Sequence, residues 1–310
     1  MATKDPGRDC NLTGPWKSAD NGARMEKNWA GWINGFFGML IFSGTLPATR
    51  AAVQALDPLF VTFARAAIAG VLGLSMLVLF RQRPPGGADV TSLAVVSLGA
   101  VIGFPLLTAL ALQDVTSAHA LVFVGLLPLT TALFGVLRGG EHPRPAFWLF
   151  SLIGSALVAG YAMLTGGDAS VRGDALMLAA IVVCGLGYAE GAKLSRRLGG
   201  WQVISWALVL SLPVMLPLAW WLRPDSFDGV GAGAWWGLAY VSLFSMLIGF
   251  VFWYRGLALG GIAAVGQIQL LQPFFGLMLA ATLLQEAIAA SMIVVTLATV
   301  LCVAGARRFA

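Results

Sequence analysis

Ten apolar runs, each near 20 residues, fill almost the whole chain. The hydrocarbon layer of a bilayer is about 30 Å thick, and about 20 helical residues cross it. Inside that layer no water satisfies backbone N–H and C=O groups, so only helices and closed barrels span it. Barrel strands are about 10 residues long and alternate in polarity, whereas these runs are apolar on every face. The pattern specifies an all-α polytopic membrane protein. Composition agrees: hydrophobic residues make up 58% of the 310, charged residues 11%, and the mean hydropathy is +0.84. A soluble protein carries about 25% charged residues, so this chain cannot cover a water-exposed surface.

The expected spans are 29–52, 58–80, 91–113, 116–137, 145–164, 174–194, 201–221, 233–254, 257–279 and 287–304. The turns between them carry Pro and Gly, as in Arg-Gln-Arg-Pro-Pro-Gly-Gly from Arg81 and Gly-Gly-Glu-His-Pro-Arg-Pro from Gly139. None is long enough to be a soluble domain, which excludes catalysis in a folded extramembrane domain. Residues 1–28 are polar and aperiodic and read as a mobile cytoplasmic tail. They have no apolar core of the signal-peptide kind, so the run from Trp29 serves as the first anchor.

Charge sets the orientation. With the N-terminus inside, 15 basic residues fall on the cytoplasmic side, and only Arg50, Arg172 and Arg223 face outward. This positive-inside bias places both termini in the cytoplasm of a cell (inner) membrane protein and requires an even number of spans. It also accounts for the net charge of +5 through contact with anionic lipid head groups, so nucleic acid is not an expected partner. Cys10, Cys184 and Cys302 are far apart and show no Cys-x-x-Cys spacing. No metal site or cofactor is expected.

The second half echoes the first. Residues 126–141 and 271–286 each hold a proline followed 13 residues later by a glutamate: Pro128 and Glu141, then Pro273 and Glu286, at an offset of 145. Five spans per repeat is an odd number, so the repeats enter the membrane from opposite sides. The expected domains are a first five-helix repeat at 29–165 and a second at 173–308. Inverted repeats are a recurring device of secondary transporters, with the solute site near the midplane between halves. No phosphate-binding Gly-x-x-x-x-Gly-Lys-Ser/Thr loop is present, so nothing here hydrolyses ATP.

Together these residues resemble the drug/metabolite transporter superfamily, EamA type, over residues 29 to 308. The paired Pro128/Glu141 and Pro273/Glu286 carry the likeness. So do Phe252-Trp253-Tyr254-Arg255 at the exit of span eight, and Asp57-Pro58 with Phe63-Ala64-Arg65 at the entry of span two. The resemblance implies a fold of ten transmembrane helices in two inverted repeats. Within the superfamily the aromatic amino acid exporters are most similar, which implies export of amino acids and of planar cationic drugs. A small-molecule substrate and membrane lipid are the expected partners, and a functional monomer the expected unit, with a dimer as the alternative.

Polar groups inside spans default to functional hypotheses. Gln267, Gln269 and Gln272 lie beside Pro273, which frees a backbone carbonyl; they either satisfy it or contact substrate. Asn34 sits about one turn below Trp29. His119, early in span four, either meets substrate, titrates as a gate, or packs at the interface. Trp32, Tyr188 and Trp206 lie deep enough to stack against an apolar solute, though core packing explains each one equally. These eight residues are the candidate substrate-binding set. Pro128 and Pro273 mark broken or kinked helices with a conformational role. Arg65, about seven residues into its span, reads as structural before it reads as an anchor for a substrate carboxylate. Glu190 reads as the partner of Lys193 or Arg197 on its own helix. Gly35, Gly38, Gly70, Gly73, Gly185 and Gly187 permit close helix approach.

Other classes fit less well. A membrane-embedded enzyme needs a cluster of acids and histidine, and the spans hold none. A channel needs a repeated selectivity segment, and none is visible. An uptake permease of the same fold for a sugar or nucleoside, or a drug efflux protein, stays open, as does the choice between facilitated and proton-coupled movement.

Overall fold

The computed structural model describes residues 15–111, 113–115, 120, 123–165, 170–284 and 290–310. All regular structure among them is helical: α1 (Pro15–Ser43), α2 (Thr45–Val53), α3 (Pro58–Leu79), α4 (Gly87–Val96), α5 (Phe104–Ala111), α6 (Leu127–Gly139), α7 (Pro145–Thr165), α8 (Val171–Leu198), α9 (Gly200–Trp221), α10 (Ala232–Tyr240), α11 (Phe250–Gly260), α12 (Ile262–Gly266), α13 (Gln272–Leu284) and α14 (Ala290–Phe309). A wide π-helical turn, Ser97–Gly103, joins α4 to α5, and another, Val241–Gly249, joins α10 to α11. A 3₁₀ segment, Gln267–Leu271, joins α12 to α13.

Local chemistry explains the boundaries. Asp57 caps α3 by accepting from the backbone N–H groups of Leu59 at 2.9 Å and Phe60 at 3.0 Å, and Pro58 fills the first helical position, where no N–H is missed. Gly199 and Gly261 separate α8 from α9 and α11 from α12 with φ of 97° and 92°. Side chains rarely adopt that left-handed region, so glycine makes both sharp turns. Pro128 and Pro273 each stand second in their helix, where the lost donor breaks no internal bond. They open new helices after interruptions and do not kink continuous ones.

Among the described residues six helical stretches are long and apolar enough to cross a membrane: Asn28–Val53, Pro58–Leu79, Gly87–Ala111, Val171–Leu198, Gly200–Trp221 and Ala232–Gly260. Leu127–Gly139 and Pro145–Tyr161 are shorter apolar helices. The protein is an all-α, multi-pass membrane protein. Expected spans 116–137 and 287–304 run partly over residues outside the described set. Two expectations are corrected. Among the described residues helix α1 already runs from Pro15 to Ser43, so 15–28 is helical and not aperiodic; alanines and long unbranched side chains in 15–28 favour helix despite the polarity. The eighth span, expected to end at Tyr254, runs to Gly260, and the ninth, expected from Leu257, begins at Ile262, because the left-handed Gly261 ends the helix.

Helix α3 packs on α9, α7 on α14, and α6 on α12. The α1·α11 contact has a counterpart in α8 against α5 and its adjoining π turn. Small residues make these crossings close. A Cβ on Gly31 would fall 2.4 Å from the backbone nitrogen of Gly260, and one on Gly187 would fall 2.9 Å from that of Ala100. Trp253 and Tyr254 are fully buried at the centre.

Candidate functional site

Four helix irregularities meet near the middle of the molecule: the break at Gly44 between α1 and α2, the two π turns, and the start of α13. Around them lies an enclosed cavity of about 50 Å³, space for a few waters. Non-helical backbone at membrane depth is tolerated where it lines a cavity, and wide turns inside helices gather at functional sites. Phe42 and Thr45 flank the α1 break, Ala100 and Ser245 lie in the π turns, and Gln272 begins α13; all of them line the cavity.

Aromatic rings form one wall. Phe42 stacks on Tyr188 at 6.5 Å and meets Phe250 edge-on at 5.1 Å. Tyr188 contacts Phe250 at 5.8 Å and Trp253 at 5.5 Å. Such pairs hold fixed geometries and present flat apolar faces. The polar groups are few. Arg65, 7% exposed, donates through a terminal guanidinium nitrogen to Ser245 Oγ at 3.2 Å. Ser245 Oγ also pairs with Thr45 Oγ1 at 2.9 Å. Arg65 Nε has no partner, and no ion pair to Arg65 is seen among the described residues. Gln272 Nε2 donates to the Phe42 carbonyl at 3.4 Å, while its Oε1 is buried without a donor.

Of the eight residues expected to bind substrate, the cavity wall takes Tyr188 and Gln272. Gln269 lies fully buried behind it and donates to the Tyr188 hydroxyl at 3.5 Å; Gln267 is fully buried and both its amide atoms lack partners. Asn34 turns back on its own helix to donate to the Ala30 carbonyl at 2.7 Å. Trp206 packs half-buried against the core. Trp32 lines a different cleft of about 360 Å³ with Glu141, His142 and Arg307; the Arg307 guanidinium lies 4.6 Å from its ring centre. That cleft is the larger of the two, but its Glu141 and Arg307 are already engaged, by the start of α12 and Arg196 and by the Trp29 and Trp32 rings. His119 lies outside the described residues. Phe42, Thr45 and Ser245 were not among the residues the sequence nominated, and the sequence reads Arg65 as structural first and as an anchor for a substrate carboxylate second. Only the helix breaks, invisible in hydropathy, bring them together.

A charged layer closes one end of the molecule beyond the aromatic wall. Glu190, two residues past Tyr188, accepts from Ser92 at 2.6 Å and Arg138 at 2.9 Å, with Lys193 at 3.9 Å. Lys193 is thus the expected neighbour on the same helix, but Arg138 from α6 holds the closer place. Arg197 goes instead to Asp89. Glu141 accepts from the backbone N–H groups of Ile262 and Ala263, both at 2.7 Å, and from Arg196 at 2.8 Å. It therefore caps α12 and ties that helix to the end of α8. No group of three His, Cys, Asp or Glu side chains suited to a metal is found among the described residues.

A central cavity at broken helices in a multi-pass bundle is transporter architecture, and the comparisons identify its kind. The model of the EamA-like transporter family matches residues 29–164 and 171–307. The chain belongs to the EamA-like transporter family. This EamA-like protein is accordingly a small-molecule transporter of the drug/metabolite superfamily and not an enzyme. It is 69% identical over 286 residues to a Bacillus subtilis (strain 168) protein described as the uncharacterized transporter YdeK, covering 92% of this chain and 100% of that one. It is 24% identical over 245 residues to an uncharacterized transporter of Archaeoglobus fulgidus (strain ATCC 49558 / DSM 4304 / JCM 9628 / NBRC 100126 / VC-16), covering 76% of this chain and 83% of that one. A crystal structure titled only as that of a protein shares the fold, with a TM-score of 0.74, 20% identity, and coverage of 90% of this chain and 99% of the other. Neither relative's name specifies a solute.

Proposed function

We propose that this EamA-like transporter spans the membrane ten times in two inverted five-helix repeats, 29–165 and 173–308, with both termini cytoplasmic. It exports hydrophobic or aromatic amino acids as a monomer by alternating access, without ATP. The observation that carries this reading is the lining of the central cavity: several aromatic faces and a few convergent polar groups, contributed by helices far apart in sequence; at about 50 Å³ it must widen during the transport cycle to admit an amino acid, since small-molecule sites span about 300–1,000 Å³. The repeat reading has two further supports. Helices begin at Gly87 and Leu127, and again at Ala232 and Gln272, each 145 residues on. The packing fits a two-fold exchange of halves, in which α3·α9 and α7·α14 map onto themselves while α1·α11 exchanges with α5·α8.

No carboxylate lines the cavity among the described residues, which favours facilitated movement over proton exchange. Purified protein in liposomes, loaded with labelled phenylalanine or leucine, tests the function. Efflux down the gradient above protein-free vesicles, unchanged by an imposed pH gradient, is the expected result. Vesicles that pass no amino acid down a steep gradient defeat the reading and shift weight to sugars, nucleosides or drugs.

A further inference from the structure

Resting on the reading that the central cavity is the transport site, we propose that Arg65 binds a carboxylate of the transported solute. Gln272 Oε1 receives an N–H donor of the same molecule. The site then takes small zwitterions and monocarboxylates with an apolar body, and disfavours cations.

A guanidinium carries five N–H donors and stays charged in proteins. Arg65 is buried at membrane depth, and its one hydrogen bond among the described residues is to the Ser245 hydroxyl. A buried charge is costly unless paired, and a structural partner would be a carboxylate within reach; the described residues supply none. Snorkelling to head groups is not what the side chain does. Its head runs inward to Ser245, itself held by Thr45, and borders the cavity. The charge is therefore kept available on the cavity side. Across the same space, the Gln272 amide is oriented by the Phe42 carbonyl so that its oxygen is left over. One orphan donor of full positive charge and one orphan acceptor, set among Phe42, Phe104, Tyr188 and Phe250, complement a carboxylate, an ammonium and an apolar side chain. Arg65 also offers the forked geometry that matches a carboxylate with two parallel bonds.

The test uses wild type, Arg65→Gln, Arg65→Lys and Gln272→Leu in liposomes, with three labelled probes. These are L-phenylalanine, 3-phenylpropionate, and the permanent cation trimethyl(phenethyl)ammonium, each corrected for protein-free vesicles. Ratios between probes within one preparation cancel differences in the amount of folded protein. Wild type is expected to favour phenylalanine over the cation at least tenfold. Arg65→Gln lowers that ratio at least tenfold, and Arg65→Lys falls between. Gln272→Leu lowers the ratio of phenylalanine to phenylpropionate several-fold. An Arg65→Gln ratio equal to wild type, with phenylalanine still carried, overturns the inference and leaves the transport reading standing. An unchanged ratio in Gln272→Leu overturns the role of that residue. Wild type that moves none of the probes removes the transport reading and this inference with it.

Discussion

Single side chains at the charged end do work that the sequence did not assign to them. Glu141 was visible as half of a repeated Pro-to-Glu spacing, yet its role, capping a helix that begins 121 residues later, depends on folding. Losing two charge-assisted cap bonds costs about 1–2 kcal/mol, so Glu141→Ala is expected to lower the apparent Tm in detergent. Glu141→Gln, which keeps an acceptor, should lower it less. Loss of Arg138 strands the buried Glu190 carboxylate with Ser92 and a distant Lys193. Because Arg138 is half exposed, Arg138→Ala should cost about 1–3 kcal/mol, read by the same melting curve. Among candidate binding residues, Tyr188 and Gln272 were legible because deep aromatic and amide groups are unusual in lipid. Asn34 and Trp206 carried the same signal but spend it on their own helix and on packing. Arg65 was seen but its environment was not, since Ser245 lies 180 residues away in sequence.

At the scale of elements, hydropathy located most of the helices and missed their interruptions. Apolar composition is blind to whether a backbone bond closes at i−4 or i−5, so Ser97–Gly103 and Val241–Gly249 look like ordinary helix in the sequence. The eighth span was expected to end at Tyr254 for the opposite reason: the charge of Arg255 interrupts the apolar run while the helix continues to Gly260. Glycine spacing was informative, because close approach needs glycine facing backbone. Valine at Gly31 would drive its side chain into the Gly260 backbone. Overpacking costs about 1–3 kcal/mol when neighbours adjust, and backbone adjusts poorly. Gly31→Val should therefore reduce the yield of monodisperse protein in size-exclusion chromatography. Gly160 faces open space within α7; Gly160→Ala should be neutral or raise stability by about 0.5–1 kcal/mol through helix propensity.

For the whole molecule, the distribution of Lys and Arg leads to an orientation that labelling can check. In a background without Cys10, Cys184 and Cys302, single cysteines at Ser170 and Arg308 are expected to react with impermeant reagent from opposite sides of the membrane. Reaction from one side only would sink the ten-span topology. The fold class was legible because lipid leaves so few backbone solutions. The location of the candidate site was only partly so, because it depends on contacts between helices far apart in sequence, which leave no signature in either helix alone.

In the proposed site, Arg65, with no ion-pair partner among the described residues, has a consequence for turnover. When the site is filled by a carboxylate, the closed state carries a paired charge; when it is empty, the same closure leaves Arg65 unaccompanied in a low-dielectric interior. The empty return leg is then the slow one, and the protein should run faster as an exchanger than as a one-way carrier. Labelled phenylalanine is expected to leave vesicles several-fold faster when unlabelled phenylalanine waits outside, and Arg65→Gln should flatten that difference.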